Sequence, residues 1–318
     1  MKIGLIIRTK YDKQYKEIDT KKGRITIEKA ILNHLKKKYS QHKFITLNAH
    51  KLNVKLAKSC DIVWFCFEDF TNILKEQIHI KSDGSAKSLE HYNKTINSIT
   101  EIPNIYPNKK FLKFIHDKCE YYKFLKNKNI PVAPTVCVNT KKPNAKKILE
   151  TMKKWPRAIF KPVLGGETKG FQIYDPPYNK KTVTQYFKDA KEAQYPAIII
   201  QRFMPNFATE KYPEIRTVWS GSKFQYAVLT TGWGEIIKLT KKIPAQLKVL
   251  SKKVLKLLEE EFKTKIVTCR IDFGKTPQDK IFINEIEYGY GTFADVNPKI
   301  SKGLPESIAE NFAKIHNL

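Results

Sequence analysis

Two segments near the C-terminus, KIVTCRIDFG ending at Gly274 and IFINEIEYG ending at Gly289, constrain the fold more than any other part of the chain. Each alternates β-branched or aromatic residues with polar ones, and KTPQDK between them is turn-rich, so together they predict a β-hairpin. With Lys275 opposite Lys280, the two-residue period puts Arg270 and Asp272 on one face with Glu285 and Glu287. It turns Ile271, Phe273, Phe282 and Ile286 toward the core. Carboxylates that close repel one another unless protons or a cation neutralise them, and all-oxygen ligands on a stiff hairpin suit Mg²⁺ held together with substrate phosphates. A solvated hairpin face with an ordinary Arg–Glu cross-strand pair fits the same residues.

A chain of 318 residues can bury a substantial core and is expected to divide into two or three domains. Apolar residues make up 41%, and no apolar run approaches membrane-spanning length, so no membrane partner is expected. The opening MKIGLIIRTK reads as a first strand rather than a signal peptide. The five cysteines, Cys60, Cys66, Cys119, Cys137 and Cys269, are odd in number and scattered, with no CxxC and no nearby His pair. Neither a disulfide framework nor a zinc site is signalled, and a reducing, cytoplasmic setting is expected.

The 59 basic residues exceed the 31 acidic ones by 28, which invites a nucleic-acid reading. Only six of them are arginines, Arg8, Arg24, Arg157, Arg202, Arg216 and Arg270, whereas surfaces that fork phosphates or read bases draw heavily on Arg. A solvated lysine coat reflecting AT-rich coding is the preferred reading over a nucleic-acid surface. The positive field still attracts an anionic small substrate.

The first hundred residues read as βαβ: KIGLIIR, a helical stripe through Ile27, Ala30, Ile31 and Leu35, then the strands KFITLN and DIVWFCF. This pattern predicts a parallel sheet. Arg8 ends its first strand, and Glu68 and Asp69 follow its third, where open α/β sheets hold ligands; each is equally an ordinary surface charge. From Pro103 the texture changes. FLKFIHDKCEYYKFLKNK is a helical run ending at the proline-rich NIPVAPT, followed by the helix AKKILETMKKW, the strand RAIFKPV, the loop LGGETKG and the strand FQIY. A helix near Gln185, the strand AIIIQRF, the hairpin of EIRTVW and FQYAVLT, and the long helix PAQLKVLSKKVLKLLEEEF come next. The acidic hairpin follows, and LPESIAENFAKI closes the chain as a helix.

Several residues along this route suit a nucleotide. Lys161 precedes the glycine-rich loop, where Gly165, Gly166 and Gly170 leave backbone N–H groups free to approach an anion. The loop lacks the GK[ST] ending of a P-loop, and a plain hairpin turn is the alternative. Lys118 in HDKCEYY is a second compact positive charge. Gln201 ends an apolar strand and can read a base edge. Glu214 and Arg216 alternate on the next strand, a carboxylate suited to ribose hydroxyls beside a guanidinium suited to phosphate, or simply an edge-strand ion pair.

In this order the motifs HDKCEYYKFLKNKNIPVAPT, FKPVLGGETKGF, IIIQRFM, EIRTVW, RIDF and NEIEYGYGTF resemble the ATP-grasp superfamily, over about residues 103 to 300. The pattern is similar to that of carboxylate–amine ligases of the D-alanine:D-alanine ligase type. The resemblance implies an α/β (α+β) fold with an N-terminal parallel α/β domain and ATP sandwiched between two α+β subdomains. The expected boundaries are 1–107, 108–197 and 198–318. It implies ATP and Mg²⁺ as cofactors. Lys118 and Lys161 would contact phosphates, Gln201, Arg202, Phe203 and Met204 would hold adenine, and Glu214 would hold ribose. The longer spacing before Glu214 also allows Glu210. Asp272 and Glu285 match metal ligands. Glu287 stands where the family usually has Asn and so adds charge. Arg270, Lys161 and Arg216 are the catalytic cations, and Lys238 is the candidate for a further γ-phosphate contact. Tyr288, Gly289, Tyr290, Gly291 and Thr292 form the expected substrate loop, with Arg8 and Glu68 as other substrate positions.

The activity so implied joins a carboxylate to an amine through an acyl phosphate, with small-molecule substrates such as amino acids; homodimerisation is an expectation by analogy. One alternative is an ATP-grasp kinase acting on a polyanion such as an inositol phosphate. Another is a basic nucleotide- or nucleic-acid-binding protein without turnover.

Overall fold

The computed structural model describes residues 1–7, 18–20, 23–49, 52–66, 97–164, 170–193, 195–232, 235–278, 280–289 and 298–318. Strand β1 (Lys2–Ile7) lies between β4 (Lys43–Asn48) and β5 (Ile62–Phe65), with β6 (Ile105–Tyr106) beside β5, and all four are parallel. A small antiparallel ribbon, β2 (Ile18–Thr20) and β3 (Gly23–Ile25), precedes helix α1 (Ile27–Lys38). Thr26 starts α1 by accepting the Lys29 N–H at 3.4 Å, and Ile27, Ile31, Leu32 and Leu35 form its buried stripe. Helix α2 (Val54–Lys58) leads into β5.

Two helices follow, α3 (Lys109–His116) and α4 (Lys118–Asn127), where a single helical run was expected. The break is at Asp117. Its backbone is extended (φ −96°, ψ 97°), and its carboxylate accepts the N–H groups of Cys119 and Glu120 at 3.0 and 3.1 Å. An Asp that caps a new helix leaves the old one. Lys118 becomes the first residue of α4.

The second sheet is antiparallel, in the order β7-β10-β8-β9. It comprises β7 (Thr135–Asn139), β8 (Ala158–Pro162), β9 (Gln172–Tyr174) and β10 (Ala197–Arg202). Helices α5 (Ala145–Met152) and α6 (Lys180–Glu192) cover the face that carries Phe160, Ile198 and Ile200. Ile199, in register with both Cys137 and Lys161, points to the other face. β10 pairs with β7 and β8, so this strand lies with the second sheet although the expected boundary at residue 197 separates them.

The third sheet, also antiparallel, runs β13-β12-β11-β14-β15. Its strands are β11 (Glu214–Ser220), β12 (Lys223–Thr230), β13 (Ile236–Thr240), β14 (Thr268–Lys275) and β15 (Ile281–Glu287). One face buries Ile271, Phe273, Ile283 and Ile286 with Leu247, Val254 and Leu258 of α7 (Ala245–Phe262). The other face changes character along its length. Val218, Tyr226 and Val228 sit under α9 (Leu304–Ile315), which follows the short α8 (Pro298–Ser301), whereas the next positions outward are charged. Helix α9 also returns to the first sheet, stacking Phe312 on Trp64 with ring centroids 4.1 Å apart. Its Glu310 takes hydrogen bonds from His34, Lys38 and Tyr39 of the α1 region at 2.6, 2.6 and 2.8 Å. The fold is thus mixed α/β, with one parallel and two antiparallel sheets. Among the described residues no helix is long and apolar enough to cross a membrane.

Candidate active site

The acidic hairpin forms with a register different from the expected one. Arg270 lies opposite Glu287 and Asp272 opposite Glu285, but Phe273 pairs with Ile283, Gly274 with Phe282, and Lys275 with Ile281 rather than Lys280. Asn284 is therefore the extra residue of a β-bulge. The shift brings Ile283 into the core opposite Phe273 and lays Phe282 over Gly274, where an added Cβ would come within 2.2 Å of the ring. It also lets the neighbours Asn284 and Glu285 both serve the polar face. Asn284 Nδ2 donates to Glu214 Oε1 at 2.7 Å, and Glu285 pairs with Lys118.

Carboxylate oxygens of Asp272, Glu285 and Glu287 come within 4.8 Å of one another. Buried Arg270 holds two of these residues. Its Nε and Nη2 donate to the two oxygens of Asp272 at 2.9 and 2.8 Å, and its Nη1 pairs with Glu287 at 2.9 Å. Burial, reinforced by the Glu214 carboxylate, pushes Asp272 up to about 6 against the pull of Arg270. Three convergent carboxylates from one stiff hairpin are a hard, all-oxygen donor set, the kind that Mg²⁺ takes.

Glu214 and Arg216 extend this face onto β11, where Arg216 lies opposite Asp272. Glu214 is buried and accepts hydrogen bonds at both oxygens: Oε2 accepts Arg216 Nε at 2.8 Å and the Thr230 hydroxyl at 3.3 Å, and Oε1 takes the Asn284 amide.

Helix α4 connects this face to the second sheet. One turn after Lys118, the Tyr122 hydroxyl donates to the Asn284 carbonyl and accepts from Lys161 Nζ at 3.1 Å. Lys161, on β8, is drawn down to about 8 by burial, with Glu214 acting in the opposite sense. The backbone closes the same gap where Ile283 N–H donates to the Pro131 carbonyl at 2.8 Å. The lysine strand and the acidic ribbon therefore face one another, with Tyr122 between them.

The other predicted positions fall as follows. Gly165 and Gly166 lie outside the described residues, as do Arg8, Glu68 and Gly291. Gly170 ends the glycine-rich loop at φ +70°, with Pro162 only 2.7 Å from where a Cβ would sit, so glycine is needed there. Gln201 is buried on the same face of β10 as Ile199, opposite Thr135, to whose hydroxyl it donates at 2.8 Å. Arg202 closes β10, and the Phe203 N–H returns to the Arg157 carbonyl at 3.0 Å, with the Arg157 guanidinium over the Phe203 ring. Met204 is half-buried just beyond.

Lys238 is exposed and pairs with Leu229, on the face of the third sheet opposite to Glu214. Tyr288 is core. Its hydroxyl accepts from Trp64 Nε1 at 3.2 Å and donates to the Phe65 carbonyl at 3.3 Å, and Gly289 follows it at φ +134°.

Two participants, Tyr122 and Asn284, lie outside the residues expected from the sequence. Tyr122 stands four residues from Lys118, the spacing that puts both on one helix face, and that signal was readable. Asn284 had no such signal, because only the bulge turns it toward Glu214. The cysteine reading needs correction. Cys119 and Cys137 form a disulfide between α4 and β7, with Cα atoms 5.9 Å apart; sequence spacing shows nothing of this because tertiary packing alone brings the two elements together.

No protein-family model and no curated protein matches the sequence. Solved structures are similar over nearly the whole chain. D-cycloserine synthetase DcsG is 13% identical at a TM-score of 0.68, covering 98% of this chain and 99% of that one. The D-alanine–D-alanine ligase from Bacillus anthracis complexed with ATP is 16% identical at 0.61, covering 100% and 96%. A RiPP-associated ATP-grasp ligase from Chryseobacterium gregarium, in complex with ADP and a leader and core peptide, is 14% identical at 0.58, covering 100% and 97%. A parallel sheet followed by two antiparallel sheets, with a lysine strand facing an acidic hairpin, is the arrangement of this chain, and its fold is the one these solved ligase structures have.

Proposed function

We propose that the protein is an ATP-dependent ligase that joins a carboxylate to an amine through an acyl phosphate. One observation carries the reading: Lys161 of the second sheet and the acidic ribbon of the third share the Tyr122 hydroxyl, so cationic and metal-ligating groups converge on one cleft. The similarity to an ATP-complexed ligase and an ADP-complexed ATP-grasp ligase supports the choice of nucleotide.

In this mechanism Gln201 to Met204 hold the adenine and Glu214 the ribose, while Lys118 and Lys161 bind the phosphate chain. Asp272, Glu285 and Glu287 would hold Mg²⁺, which supplies neutralisation of the β- and γ-phosphates when bound. A substrate carboxylate oxygen attacks the γ-phosphorus, and ADP leaves. Arg270, fixed by Asp272 and Glu287, and Arg216 beside it stabilise the negative charge that develops. The amine then attacks the acyl carbon and phosphate departs, so the products are an amide, ADP and phosphate. Exclusion of water from the site protects the acyl phosphate in the interval.

The test is a screen of amino acids and small carboxylates, each with and without an amine, for ADP and phosphate release in Mg²⁺. Release that requires both partners, with a condensed product in the mass spectrum, is expected. Phosphate retained on a single substrate would replace the ligase with a kinase, and binding of nucleic acid without turnover would remove the enzyme.

A further inference from the structure

We propose that the Cys119–Cys137 cystine is a reducible site that fixes the first turn of α4, so that a dithiol acting on it weakens the binding of MgATP. The inference rests on the ATP site proposed above and concerns its regulation.

Cys119 is the residue after Lys118, within the turn that Asp117 caps. That turn is attached to both walls of the cleft. Lys118 pairs with Glu285 on the third sheet, and Cys119 is bonded to Cys137 on the second. Opening the S–S bond leaves one of these two attachments. The Tyr122 hydroxyl, one turn further along the same helix, is the acceptor for Lys161, so a shift of α4 moves the positions of both phosphate lysines together.

The bond is also placed where a reductant can reach it. Among the described residues β7 is an edge strand, hydrogen-bonded in its sheet to β10, and both Val136 and Cys137 are exposed on it. The remaining cysteines, Cys60, Cys66 and Cys269, are buried thiols and do not compete for the same reagent. The chemistry is ordinary exchange. A thiolate of the dithiol attacks Cys137 Sγ, the S–S bond breaks, and Cys119 leaves as a thiolate that takes up a proton. The second thiol of the reagent closes on the mixed disulfide and releases Cys137, which is protonated in turn. The cystine gains two electrons and two protons, and the dithiol is oxidised to its cyclic disulfide.

The experiment uses the full chain, before and after dithiothreitol, with maleimide mass labelling, circular dichroism and calorimetric titration of MgATP. Untreated native protein should label at neither Cys119 nor Cys137, and reduced protein at both. The dissociation constant for MgATP should rise on the order of tenfold on reduction, within the usual range for coupling between two sites, with the dichroism unchanged. The double variant Cys119→Ser, Cys137→Ser should show the weaker affinity with or without reductant. Labelling of Cys137 before reduction, or loss of the folded signal on reduction, overturns the proposal. Equal MgATP affinity in the two states overturns the role of the cystine and leaves the ATP site standing. Absence of MgATP binding in both states overturns the two together.

Discussion

The Tyr122→Phe substitution tests the bridge on which the cleft depends. The hydroxyl accepts from Lys161 Nζ at 3.1 Å and donates to the Asn284 carbonyl, so its loss strips an acceptor from a charged donor and a donor from a half-buried carbonyl. A hydrogen bond to a charged group contributes about 1.5–3 kcal/mol, which converts to roughly a ten- to hundredfold drop in kcat/KM for ATP. A pH signature accompanies it. Burial already brings Lys161 down to about 8, so on the proposed function the ammonium offered to phosphate is lost as pH rises through that value, and the alkaline limb of kcat/KM should fall there. A hydroxyl oxygen facing the ammonium favours the protonated form. Removing it lowers the lysine further, and the limb moves to lower pH by roughly one unit at most. The assay is ADP release over pH 6.5 to 9.5 (roughly the span that brackets such a limb). Tyr178→Phe is the control, because it removes a comparable hydroxyl bond, to the Trp155 carbonyl at 2.9 Å, on the helix-covered side of the second sheet. An unchanged kcat/KM and an unmoved limb in Tyr122→Phe would refute the reasoning.

Four further outcomes are expected. Glu285→Gln removes a ligand of the carboxylate cluster and the partner of Lys118, and turnover should fall by about a hundredfold or more while the dichroism stays native; full turnover would exclude Glu285 from the metal site. Asp272→Asn takes one carboxylate from buried Arg270, so urea unfolding should show a loss of about 3–5 kcal/mol, and a midpoint equal to wild type would contradict the pairing. Gly274→Ala drives a Cβ into the Phe282 ring and should cost about 1–3 kcal/mol by the same measurement, whereas a neutral effect would mean that the hairpin lacks the bulged register. On the proposed function, Mn²⁺ affinity followed by electron paramagnetic resonance should begin to weaken, as pH falls, above the ordinary carboxylate range, because burial raises Asp272 and its protonated form is no longer an anionic ligand; a transition at the ordinary carboxylate value instead would show that burial does not govern this residue.

How much of this was legible depended on whether the information was local. The hydrophobic periods of KIGLII, KFITLN, AIIIQRF and the long helix at Ala245–Phe262 report burial directly, and these elements stand where their patterns placed them. TVCVN became a strand because β10 needed a second partner, a tertiary reason absent from the segment itself. Asp117 carried its signal openly, as an N-cap residue inside a helical stretch, but the apolar period on both sides masked the break. The bulge at Asn284 is beyond local reading. One inserted residue leaves the alternation nearly intact while changing which strand positions meet, and it decides that Asn284 reaches Glu214. Similarly, nothing near Cys119 or Cys137 in sequence announces the other.

The charge arrangement of the cleft resolves the difficulty raised by Glu287. Glu214, Asp272, Glu285 and Glu287 are four carboxylates, and Lys118, Lys161, Arg216 and Arg270 are four cations. Glu214 has Arg216, Asp272 has Arg270, Glu285 has Lys118, and the second branch of Arg270 takes Glu287. The fourth carboxylate, Glu287, is therefore compensated rather than surplus. Among these eight described residues the charges balance, so they offer no net positive charge to a bare triphosphate, and their carboxylates are already engaged against a bare dication. On the proposed function each species would relieve the other's difficulty: phosphates would draw Lys118 from Glu285, and the freed carboxylate would be available to hold the metal. On the proposed reading, then, metal and nucleotide enter as one neutralised complex, and the pairing seen between lysine and glutamate is what holds the cleft in register until they do.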